Sequence, residues 1–97
     1  MEKNFGPFKN HGLLIVVLQG GFVYIGEVET ASLDGVPWLR ISGTRNLRVW
    51  GTTAGLGQLA TGGPTKETKM DVTGTIYAPV SSLLHFMQAD AKVWKGK

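Results

Sequence analysis

Arg40, Arg45 and Arg48 are the only arginines in the chain and fall within nine residues, interleaved with Trp38, Asn46 and Trp50 and followed by Thr52-Thr53. Guanidinium forks match phosphate oxygens, and indole rings stack on the faces of bases. A threonine pair at a helix start adds hydroxyls beside free backbone N–H groups and the positive end of a dipole. This set of residue types therefore fits a small phosphorylated ligand. The alternative is that the tryptophans pack into a core or a subunit interface with an arginine stacked over them by cation–π attraction.

Immediately downstream, Gly55-x-Gly57-x-x-Ala60 has the form of a dinucleotide fingerprint. Such a fingerprint works when it opens a strand–helix–strand unit within a doubly wound sheet. Here the helix could run only about two turns before Pro64, and 97 residues cannot hold that sheet. A phosphate loop of the Gly-Lys-Ser/Thr kind is also missing from the stretch. The glycines read as a loose helix whose small residues allow close packing.

Covalent or metal chemistry has little to work with. The chain has no cysteine and two histidines, His11 near the start and His85 inside an apolar run. The sequence offers no nucleophile with its base and no metal-ligand spacing. Glu27 and Glu29 alternate on one predicted strand, where acids are ordinarily solvated. The sequence predicts a protein that is not an enzyme and needs no cofactor.

The elements that must position these residues are mostly strands. LLIVVLQ-GG-FVYIGEVE, from Leu13, predicts a β-hairpin about Gly20-Gly21, with β-branched and aromatic residues on both arms. Its first arm does not alternate, so both its faces should be covered, by a closed barrel or by another subunit. Leu33-Asp34-Gly35 signals a turn.

PWLRIS (37–42) and RNLRVW (45–50) then alternate on either side of Gly43-Thr44. A two-residue loop would place Arg40 across from Leu47 and mix the faces. A loop of Gly43-Thr44-Arg45 pairs Ile41 with Leu47, Arg40 with Arg48 and Trp38 with Trp50, and is the preferred register. Two arginines facing each other are mutually repelled, which calls for an anion between them or an acid from elsewhere in the fold.

A short helix follows, with a threonine as N-cap and Gly62 or Gly63 as its end, docked by Leu56 and Leu59. TKETKM is expected as an exposed loop, and Asp71–Tyr77 as a strand weakened at Gly74 and broken at Ala78-Pro79. A strand over Leu83–Gln88 and a helical turn over Asp90–Trp94 complete the reading. The predicted fold is mainly β, a small antiparallel barrel or sandwich of about five strands with one or two short helices.

A single domain of 97 residues is expected, with a polar leader over 1–12 and a folded core over 13–94. At this size burial is limited, so subunit contacts would help stability and a homo-oligomer is expected. The leader lacks the apolar core of a signal peptide, and the broken run from Leu13 to Ile25 is too short to span a bilayer. No membrane partner is expected. A net charge of +3 favours an anionic partner but is too small for a long nucleic-acid track.

The run from Arg48 to Ala60 with Gly62-Gly63-Pro64, the first hairpin and GTIYAPVSSLL resemble a group of short proteins encoded by bacteriophages and prophages. The resemblance covers residues 13–94. It implies an accessory protein acting in the cytoplasm of a bacterial host. At the level of role and chemistry it is similar to oligomeric sponges that trap cyclic nucleotides of antiphage defence. On that reading Arg40 and Arg48 neutralise phosphates, Trp38 or Trp50 stacks a base with Asn46 on the same face, and Thr52 and Thr53 donate hydrogen bonds. A protein-binding inhibitor or minor phage structural protein is the alternative, and single-stranded nucleic-acid binding the third.

Overall fold

The computed structural model describes residues 9–53 and 55–94. Its first strand, β1 (Lys9–Leu18), begins with polar residues and ends in an unbroken apolar run. Lys9 and Asn10 already pair with Thr30 and Glu29, so strand structure reaches four residues into the expected leader, whose residues 1–8 lie outside the described part. β1 turns through Gln19-Gly20-Gly21 into β2 (Phe22–Leu33), with Leu18 opposite Phe22. The loop has three residues where two were expected.

β2 enters β3 (Val36–Val49) through Asp34-Gly35, both with positive φ, the conformation a tight two-residue hairpin turn requires. β3 runs without interruption for fourteen residues. The predicted hairpin at Gly43-Thr44 is therefore corrected: the pair forms a bulge inside one strand, and the partner of both halves of β3 is β2. Ile25 pairs with Arg45 and Glu27 with Ser42, so β3 holds one residue more than β2 across this step. The bulge is anchored by buried Thr44, whose hydroxyl donates to the Ile41 carbonyl at 2.5 Å. On β2, Gly26 makes room for it, since a Cβ there would stand 2.7 Å from both Ile41 Cγ2 and the Ser42 carbonyl oxygen.

After β3 come α1 (Leu56–Gly62), β4 (Lys69–Val72), β5 (Ile76–Pro79), a 3₁₀ turn at Val80–Ser82, β6 (Leu83–Gln88) and α2 (Ala91–Trp94). All strands join one antiparallel sheet in the order β4-β3-β2-β1-β6, with β5 on the free side of β3 ahead of the bulge. The expected strand over Asp71–Tyr77 is two strands parted at Thr73–Thr75, where Gly74 has positive φ. Lys69 and Met70, expected in a loop, belong to β4.

Topology forces curvature. β5 and β6 lie at opposite ends of β3-β2-β1, about 19 Å apart in a flat sheet of 4.8 Å spacing. The chain from Pro79 to Leu83 reaches at most about 14 Å. The sheet therefore curls toward itself, yet β5 and β6 do not pair and it is not closed into a barrel.

Curling explains the non-alternating first strand. On one face Ile15 and Val17 pack with Val23, Ile25 and Leu47 under Leu56, Leu59 and Trp94 of the helices. On the other, Leu14, Val16 and Leu18 pack with Val28, Leu39, Ile41 and Ala78, joined by Val80 and Leu83 from the crossing. Two short helices and a curled sheet thus cover β1 within one chain. Among the described residues no helix is long and apolar enough to cross a membrane.

Candidate functional site

The bulge decides where the arginines go. In a regular strand, residues 40 and 48 would share a face, because their separation is even. The extra residue flips the alternation: Leu39 and Ile41 face the core that contains Val16, while Leu47 faces the helix-covered core. Arg40 and Arg48 consequently project from opposite faces, roughly 25 Å apart along the strand at 3.3 Å per residue. The expected Arg40–Arg48 and Trp38–Trp50 cross-strand pairs do not form.

Arg40 and Arg48 have each instead found an acid within the fold. Arg40 lies opposite Glu29 on β2, donating from Nε at 2.9 Å and Nη2 at 2.6 Å to the same carboxylate oxygen. Glu29, with help from Tyr77, holds the Arg40 guanidinium more firmly protonated. Arg48 donates from Nε to Asp71 on β4 at 2.8 Å. The hydrogen bond and charge of Arg48 hold the Asp71 carboxyl below the usual aspartate range.

The other predicted ligand residues are similarly engaged. Asn46 Nδ2 donates to the Val23 carbonyl at 3.1 Å. Half-buried Trp38 lies between Ala31 and Pro79 on the neighbouring strands. Trp50 is 39% exposed, and its carbonyl accepts the Thr68 hydroxyl at 2.7 Å. The helix starts at Leu56 with Gly55 as N-cap and no side-chain cap, which corrects the expected threonine cap. Thr52 Oγ1 accepts the Gly55 N–H at 3.1 Å, and Thr53 pairs through its N–H and hydroxyl with Gln58 Oε1. Ala54 lies outside the described residues.

The arginine-over-indole contact does exist, but elsewhere. Arg45 sits 5.7 Å from the ring centre of Trp94, which is 3% exposed and donates from Nε1 to the Leu59 carbonyl at 2.9 Å. Trp94 thereby ties α2 to α1 and to the bulged strand.

The curl does create a pocket on the inner face of the sheet. It has a volume of about 400 Å³ and is walled by Leu14, Val16, Val28 and Leu39 from the sheet and by Val80, Leu83 and Phe86 from the crossing and β6. His11, Thr30 and Gln88 supply its polar groups. His11 Nε2 and Thr30 Oγ1 lie 2.8 Å apart, so one rim is already hydrogen-bonded. This volume, apolar lining and few polar groups are what small-ligand sites share. The sequence signal for it was the unbroken apolar run of β1, from which Leu14 and Val16 line it. Among the described residues no group of three His, Cys, Asp or Glu side chains could hold a metal ion.

The chain matches no protein-family model, no curated protein and no solved structure. The resemblance to short phage proteins accordingly rests on the quoted residues alone.

Proposed function

We propose that the chain is a non-catalytic binding protein, working as a homo-oligomer, that takes a small ligand with an aromatic or branched apolar body into the pocket of the curled face. The observation that carries this reading is the pocket's lining of seven apolar and three polar residues. Apolar walls supply the affinity through buried area, and His11, Thr30 and Gln88 recognise one hydrogen-bonding end.

Sequestration of a phosphorylated signal, a cyclic nucleotide, draws its support from the net charge of +3 and the resemblance. The arginines proposed for it stand on opposite faces, each on a carboxylate. Calorimetric titration separates the readings. A panel of small aromatic and branched apolar compounds should yield a binder whose affinity falls about tenfold or more in Thr30→Trp, where an indole fills the mouth. A cyclic di- or trinucleotide that binds Thr30→Trp as well as wild type, and fails to bind Arg48→Ala, would replace this reading with the phosphate one.

A further inference from the structure

β6 is an outer strand, paired with β1 on one side and, among the described residues, open on the other. Ala89 donates its N–H to the Leu13 carbonyl, and Ile15 and Val17 lie opposite Met87 and His85. Antiparallel alternation then turns the N–H and C=O of His85, Met87 and Ala89 toward β1, and those of Phe86 and Gln88 outward. Proteins ordinarily guard such an edge with lysine, proline or inward charges. β4 carries Lys69 and Asp71, and β5 ends in Pro79, whereas β6 reads LLHFMQ without a lysine, arginine or carboxylate. Leu84 and Phe86 are each 57% exposed on it.

We infer that β6 pairs with β6 of a second copy of this chain, antiparallel across a twofold axis, joining two sheets into one. This rests on the homo-oligomer reading above and names its surface. A strand that meets itself places like residues together, so any charge would meet or neighbour its own copy. The uncharged β6 escapes that cost. Twofold dimers are also the commonest closed assemblies, and their patches are self-complementary in this way.

Alternation also restricts the register. Outward-facing residues must oppose outward-facing residues, so the axis passes through a residue of β6 and not between two, and Phe86 is one of the two central residues that give the fullest overlap. With Phe86 on the axis, Leu84–Gln88 overlaps itself completely, and the two exposed phenyl rings stand side by side as an aromatic cross-strand pair. His85 then faces Met87 of the second copy.

The test uses the chain's lack of cysteine. Light scattering across a dilution series should give wild type twice the 10.5 kDa of one chain and Phe86→Lys a single chain, with unchanged circular dichroism. Phe86→Cys should cross-link under mild oxidation, because a hydrogen-bonded pair sits about 5.5 Å apart at Cα and a disulfide spans roughly 4.4–6.8 Å. Val72→Cys, 85% exposed on β4, should not cross-link. A monomeric wild type would overturn both the β6 pairing and the oligomer reading. An oligomer that survives Phe86→Lys, with no cross-link at position 86, would overturn the β6 pairing alone.

Discussion

Arg48 and Asp71 show how a residue fitted for one task is used for another. A guanidinium on a strand can grip phosphate, but it grips the nearest carboxylate at lower entropic cost, and β4 delivers Asp71 to Arg48. The pair is exposed, so it positions β4 more than it stabilises the fold. Its pH dependence follows from the lowered Asp71 carboxyl. A depressed carboxyl contributes above the ordinary aspartate value of about 3.9. That contribution is lost as pH falls through the lowered value. Titrating the Asp71 carboxyl carbon by NMR should show the lowered midpoint in wild type and a return to the ordinary range in Arg48→Ala. An identical midpoint in both would contradict the pairing.

At the scale of elements, the β3 bulge separates what was legible from what was not. The first hairpin, the Asp34-Gly35 turn, the docking of Leu56 and Leu59 and the strand over Leu83–Gln88 follow from local pattern, and the structure contains them all. Gly43-Thr44 between two alternating segments reads equally as a turn and as a bulge. Distinguishing them needs the partner strand: β2 is long enough to pair with both halves, and only Gly26 leaves the backbone room. Every predicted contact of the arginine face depended on that single choice. Gly26→Ala should therefore destabilise the fold by about 1–3 kcal/mol, the usual cost of overpacking. Urea unfolding measures this; a loss within error of zero would contradict the close packing at the bulge.

At the scale of the whole molecule, the curl of the sheet and the pocket it encloses are one feature. The mainly β class was legible in the β-branched and aromatic runs, whereas the open edge between β5 and β6 was not. Closure depends on whether those two strands meet, a contact between distant segments that no local pattern encodes. The pocket was hidden for the same reason: its walls come from β1, β2, β3, β6 and the crossing, brought together only by the curl. Ligand binding in that pocket is tested most directly by following backbone amide resonances during titration with an aromatic ligand of the panel. Shifts should concentrate at His11, Val28, Thr30, Leu39 and Phe86. Saturable shifts clustered instead at Arg40, at Arg48 or along Thr52-Thr53 would contradict a ligand site on the curled face.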